Sequence, residues 1–232
     1  GTVSRVAAAS RTRSRLELAK ARGIVDEVGS VAEAVRGADL VVLSSPVEAM
    51  PNLVREAAPH LRTGALVTDV GSVKASLAET LPGLLPAGVT YIGSHPMAGS
   101  HEQGALHARE DLFAGAVCVV TPTRGSACER LADLEGFWSD LGAVVLRRSP
   151  ADHDTEVAWI SHVPHVLAFA FSQVLGRAPD GAASVVGNGF RDFTRIANSD
   201  AALWSGILTA NRKNLKAPLE DFRAALNELA ET

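Results

Sequence analysis

The chain has 232 residues, 47% of them apolar and 21% charged, and 22 basic against 26 acidic side chains give a net charge of −4. These proportions exclude a disordered chain and a globally basic nucleic-acid binder, and the length suits one large domain or two small ones that need no disulfide or metal to hold a core. Cys118 and Cys128 form no CxxC pair, which suits a reducing cytoplasm, and neither a secretion signal nor an apolar run of bilayer-spanning length is expected.

In chain order, residues 3–9 read as a strand and 15–22 as a helix that Gly23 stops. Residues 40–43, 65–70, 89–93, 116–120 and 143–146 are short apolar runs of the kind that form strands buried on both faces, the first closing on Ser-Ser-Pro. Amphipathic stretches at 47–61, 74–81 and 126–141 lie between them. Strands alternating with helices of this size predict βαβ units and a mainly parallel, Rossmann-type sheet. From about Ser149 the pattern becomes helical only: a long run over 152–175, a loop reading GRAPDGA, then helical periodicity to the end. Leu215, Leu219, Phe222, Leu226 and Leu229 alternate spacings of four and three, one apolar stripe that suits core packing or a helical dimer interface. The expected division is therefore a nucleotide-binding domain over 1–148 and an all-α domain over 149–232. That plan is common among nicotinamide-dependent dehydrogenases, but a plan does not identify a reaction.

Four places carry residues suited to chemistry. The turn DVGSVK (69–74) follows a strand, and its Ser72 is either a helix N-cap or a site hydroxyl. His95, in GSHPMAGS, is expected just past a strand end, at the carboxyl edge of the sheet where a catalytic imidazole is well placed. Asp154, Ala158, His162 and His165 are spaced by four, four and three, hence on one helical face, with Pro164 expected to kink the helix. The H-x-x-H spacing lacks a third ligand at a familiar distance, so a metal site is not expected. Finally, Arg191 and Arg195 lie four apart in GNGFRDFTRIANSDAALW, among enough aromatic residues to suggest partial burial. A buried guanidinium needs an anion, and a substrate carboxylate is a natural bidentate partner; a solvated salt-bridge face is the alternative.

Taken together, DxGSVK, GSHPMAG, an aspartate eight residues before H-x-P-H, and GFRDFTRIAxSDxxLW, in this order, resemble the prephenate and arogenate dehydrogenases over essentially the whole chain. The resemblance implies a Rossmann domain followed by a helical dimerisation domain, a cytoplasmic homodimer, and a reaction of tyrosine biosynthesis. In that reaction prephenate loses carbon dioxide and a hydride to give 4-hydroxyphenylpyruvate, or arogenate gives tyrosine. It also implies that His95 accepts the hydrogen bond of the substrate's ring hydroxyl. By the same likeness Ser72 bridges that hydroxyl and the nicotinamide, and Arg195 holds a substrate carboxylate. His165, supported by Asp154, becomes a second active-site histidine, while His162, Gly189 and Trp204 join the substrate-binding set. One departure stands out: the family often carries an acid where this chain has His101, with Glu102 one place later, so the choice between prephenate and arogenate is open.

The cofactor end is less complete. NAD-binding strands usually end in Asp or Glu, whereas the strand at 3–9 is followed by Ser10, Arg11, Thr12 and Arg13, which favours the 2′-phosphate of NADP over NAD. Ser45, Pro46 and Ser72 are the further candidate cofactor contacts. No GxGxxG turn is present, so a first strand and its phosphate loop, roughly thirty residues of a βαβ unit, are expected to be missing upstream, with weak NADP binding as the consequence. Two other readings remain: another two-domain NAD(P)-dependent hydroxy-acid dehydrogenase, or a non-catalytic dimeric domain that binds aromatic acids.

Overall fold

The computed structural model describes residues 3–99 and 104–232. His101 and Glu102, and with them the question of an acidic gate, lie outside the described residues. The chain divides into two compact units, residues 1–153 and 154–232.

The first unit is α/β. It runs β1 (Ala7–Ala9), α1 (Arg13–Ala21), β2 (Glu27–Gly29), α2 (Val31–Ala34), β3 (Leu40–Leu43), α3 (Met50–Ala57), β4 (Leu66–Asp69), α4 (Ala75–Thr80), β5 (Thr90–Tyr91), β6 (Gly93–Pro96), β7 (Val117–Thr121), α5 (Cys128–Asp140) and β8 (Val144–Arg147). β1 pairs with β2 in parallel, β3, β4 and β5 form a parallel ladder, and β7 pairs antiparallel with β6 and parallel with β8. The ladders are thus mostly parallel with one reversal.

β4 is buried at every position, and its alternating side chains feed two cores. Val67 packs with Leu43, Met50, Val54, Leu77, Leu81 and Tyr91 beneath α3 and α4. Leu66 packs with Ile92, Cys118, Val120, Leu134 and Trp138 beneath α5. Burial on both faces is what a continuous apolar run in a parallel strand provides. The first strand is shorter than the apolar pattern suggests, because its partner Glu27–Gly29 offers only three residues to pair with. That partner carries no periodic signal and was not legible.

The second unit is helical: α7 (Val163–Leu175), α8 (Asn188–Arg195), α9 (Ala201–Ala210) and α10 (Arg212–Ala230), with α6 (Pro150–Val157) leading into it. Its core gathers Ala158, Val163 and Leu215, with Leu167, Leu208 and Leu219 against them. Between α6 and α7, residues Ala158–His162 form a π-helical segment. The expected break at Pro164 therefore takes the form of a widened turn just upstream, and Pro164 itself sits in the first turn of α7, directly after that turn.

Residues 150–175 make a continuous helical run of 26 residues, long and apolar enough to cross a bilayer by length and composition alone. This corrects the expectation from the sequence that no run approaches that length, since positions 157–176 contain no Asp, Glu, Lys or Arg. The core helix of a helical unit passes the same test, and Ala158, Val163 and Ala168 of this run are buried.

Candidate active site

In the first unit the site is built on the ends of β4 and β6. His95 lies inside β6, paired opposite Val119, rather than just past a strand end; the strand continues three residues beyond the sequence expectation because β7 extends the ladder antiparallel to it. The His95 ring is largely buried, and its Nδ1 is 2.9 Å from Nε2 of His153, a residue of α6 that is itself 1% exposed. The two rings meet edge to face, with centroids 5.1 Å apart.

Beneath His95 lies an ion pair fully removed from solvent. Lys74 Nζ bonds the Asp69 carboxylate and also donates to the Ser94 carbonyl at 2.9 Å. The same carboxylate accepts the Tyr91 hydroxyl at 2.7 Å and the Gly71 amide at 2.8 Å, while the Ser94 hydroxyl donates to the Asp69 carbonyl at 2.7 Å. The carboxylate thus ties the end of β4 to the turn carrying Ser72, the start of α4 and β5, while Lys74 and the Asp69 carbonyl reach Ser94 in the strand carrying His95. Gly93 makes room for this arrangement, since a Cβ there would stand 2.6 Å from Thr121 Oγ1 and 3.2 Å from Lys74 Cδ.

Ser72 is half-buried in that turn. The N-cap position of α4 is Lys74, not Ser72, so the capping role drops away. A lysine at a helix N-terminus opposes the helix dipole and calls for a local anion, which was the available signal for the Asp69–Lys74 pair. His153 gave no such signal in the sequence. Ser45 and Pro46 follow the carboxyl end of β3, both half-buried. Ser10, Arg11 and Thr12 follow β1 and are exposed; Ser10 Oγ accepts the Thr12 amide at 3.3 Å. Among the described residues Arg13 pairs with Glu17, whereas no ion pair involves Arg11.

The second unit holds an aromatic and imidazole cluster. Trp204 of α9 stacks on His165, with ring centroids 3.5 Å apart and planes at 19°, and meets the edge of His162 at 5.9 Å and 86°. His165 Nδ1 donates to the Ser161 carbonyl at 2.9 Å, so that carbonyl, rather than Asp154, orients the ring; the spacing that puts Asp154 on the same face assumes a regular α-helix, which the π turn interrupts. Burial pushes the His165 pKa down, and the nearby Arg195 guanidinium acts in the same direction. Asp154 and His162 are both buried.

Arg195, at the end of α8, is exposed in the single chain, as is Gly189. The partial burial expected of Arg195 is not found, because α8 turns Phe190 and Thr194 inward and leaves both arginines on its outer face. Asn211, which the sequence did not single out, is 1% exposed and bonded to this cluster.

Comparison with known proteins places these features in one frame. Residues 1–147 match the family "Prephenate dehydrogenase, nucleotide-binding domain", and residues 149–232 match "Prephenate dehydrogenase, dimerization domain". The chain is 32% identical over 221 residues to the prephenate dehydrogenase of Lactococcus lactis subsp. cremoris, covering 92% of this chain and 60% of that protein. It is 33% identical over 216 residues to the cyclohexadienyl dehydrogenase of Zymomonas mobilis, covering 91% and 73%. The chain thus spans 60% of the Lactococcus protein and 57% of the similar Bacillus subtilis enzyme.

Among solved structures, prephenate dehydrogenase from Aquifex aeolicus in complex with hydroxyphenyl propionate and NAD+ superposes with a TM-score of 0.91 at 32% identity, covering all of this chain and 82% of that one. Synechocystis arogenate dehydrogenase gives 0.81 at 35% identity, covering 97% and 82%. With both family domains matched in order across nearly its whole length, the chain belongs to the prephenate dehydrogenase family.

Proposed function

We propose that the protein oxidatively decarboxylates prephenate, arogenate or both, passing a hydride to NAD(P). The observation that carries this reading is His95, held in a strand by the β6–β7 ladder and oriented by a buried imidazole, in a chain of this family. The Aquifex relative was solved with a hydroxyphenyl acid and NAD+ bound, the two kinds of molecule the reaction needs.

The chemistry asks little beyond placement, because aromatisation drives the reaction. The ring hydroxyl gives its proton to Nε2 of His95, while Ser72, on the neighbouring turn, hydrogen-bonds the same oxygen. Arg195 pairs with a substrate carboxylate, and His162, His165 and Trp204 belong to the substrate-binding set, with Asp154 and Gly189 among the supporting residues. A nicotinamide dinucleotide, when bound, accepts the hydride from the ring carbon. The residues present fit NADP: the end of β1 presents Ser10, Arg11 and Thr12 with no acid between residues 7 and 15, and Arg11 is exposed without an ion pair among the described residues. Ser45, Pro46 and Ser72 supply the further contacts at the ends of β3 and β4.

The protein is proposed to act as a cytoplasmic homodimer through its helical unit, where Phe222, Leu226 and Leu229 of α10 are exposed apolar side chains. The deciding experiment is turnover of prephenate and of arogenate, each with NAD and with NADP. Decarboxylation coupled to reduced cofactor is expected, with NADP preferred, and Arg11→Ala should shift the kcat/KM ratio toward NAD. Binding of an aromatic acid without turnover would support the non-catalytic reading instead.

A further inference from the structure

Ser72 and His95 stand on different ladders. Ser72 lies on the turn that leaves β4, which pairs with β3 and β5, whereas His95 lies in β6, which pairs with β7. Pairing within each ladder does not by itself set the spacing between the two residues. The chain passes from β5 to β6 through Ile92, whose amide donates to the Val67 carbonyl at 3.0 Å. Beyond that point side chains cross the junction. Lys74 Nζ donates to the Ser94 carbonyl at 2.9 Å, the Ser94 hydroxyl donates to the Asp69 carbonyl at 2.7 Å, and the Thr68 and Ser94 hydroxyls lie 2.9 Å apart.

Lys74 is the member that reaches both catalytic candidates. Its Nζ and the Gly71 amide bond the same oxygen of the Asp69 carboxylate, so the residues flanking Ser72 and Val73 close on one atom. Its other bond ends on Ser94, the residue directly before His95. Thr68, Asp69, Lys74 and Ser94 are all fully buried. A buried ion pair adds little stability over an apolar pair of the same volume. What an apolar pair lacks is direction: it cannot hold the Ser94 carbonyl and the Gly71 amide at fixed angles, as aligned hydrogen bonds do.

We propose that Lys74 is a positioning residue for the reaction: its bonds to Asp69 and to the Ser94 carbonyl set the spacing between Ser72 and His95. Without this bridge both side chains remain but lose their register, and a displacement of about 1 Å at a reacting group costs about a hundredfold in rate. The effect on turnover rests on the function proposed above; the spacing itself does not.

The test separates positioning from stability. Lys74→Met strands the Asp69 charge, so stability and rate fall together. In Lys74→Met/Asp69→Asn neither charge remains; the asparagine keeps an oxygen for the Gly71 amide and offers an Nδ2 donor to the Tyr91 oxygen. Denaturant titration should show the double variant regaining most of the stability that the single variant loses. Its kcat, with whichever of prephenate and arogenate the wild type turns over, should stay about a hundredfold below wild type, while KM changes less than about threefold. Crystal structures of the wild type and the double variant should differ in the separation of Ser72 Oγ and His95 Nε2 by more than about 0.5 Å, the tolerance of a catalytic arrangement. A kcat that recovers together with stability, a raised KM at unchanged kcat, or an unchanged separation overturns the proposal. Should the wild type turn over neither substrate, the proposed function falls, and the two crystal structures still judge the positioning. If the double variant does not fold, kcat per folded molecule of Lys74→Met, measured well below its melting temperature, replaces it; a value near wild type there overturns the proposal.

Discussion

Individual residues show how strongly this site depends on burial. Lys74 and Asp69 are both fully enclosed, and a buried pair is worth little over an apolar pair of the same volume, yet removing one member strands the other charge. Lys74→Met should accordingly lower unfolding stability by about 3–5 kcal/mol in denaturant titration. Under the proposed function His95 takes the proton of the ring hydroxyl, so His95→Asn should lower kcat far more than it changes stability, and near wild-type kcat in that variant would refute the proton-accepting role. His165 supplies a pH signature. Burial holds its folded-state pKa below the ordinary value, so the unfolded chain binds the proton more tightly. The stability that neutral His165 contributes is therefore complete above the unfolded value of about 6.5 and is lost as pH falls below it. Thermal melts from pH 7.5 down to 5 should show a decline that His165→Phe reduces. The thiol of Cys118, pushed up to about 12 by its burial, stays protonated throughout and takes no part.

At the level of elements, what was legible followed from periodicity. The buried strands β4 and β7 and the partly exposed β3 announce themselves as apolar runs, and α1 ends near the Gly23 stop because a positive φ there suits glycine. The catalytic candidates Ser72, His95, His162 and His165 could be read from motifs on those elements. The rest was not legible, for physical reasons. β2 is three residues long and pairs mainly through its backbone, which leaves no side-chain pattern. The reversal of β7 is a matter of long-range pairing, to which an apolar run is indifferent. The π turn at 158–162 breaks the face that helical spacing assigns to Asp154, and so the spacing pointed to the wrong partner for His165. His153 and Asn211 meet His95 and His162 across 58 and 49 residues of sequence, beyond the reach of any local motif.

For the molecule as a whole, the exposed apolar side chains of the helical unit are the main departure from an ordinary surface. Phe171, Val174, Phe222, Leu226 and Leu229 all face solvent in the single chain, and Arg195 stands exposed in the same unit. If association covers that surface, folding and association become one equilibrium, and stability follows mass action. The melting temperature should then rise with protein concentration, and Leu226→Glu should abolish that dependence and yield a monomer in sedimentation. A concentration-independent melt in the wild type would argue against the homodimer.

The placement of His95 within a strand has one more consequence, for tolerance of insertions and deletions. Its direction is set by the pairing Ser94–Val120, His95–Val119 and Pro96–Cys118, and side chains alternate faces along a strand. Deleting Ser94 would turn the imidazole to the opposite face and should abolish the proposed turnover. Lengthening the turn between Ala108 and Val117 would cost little, since closing a longer loop is penalised only logarithmically.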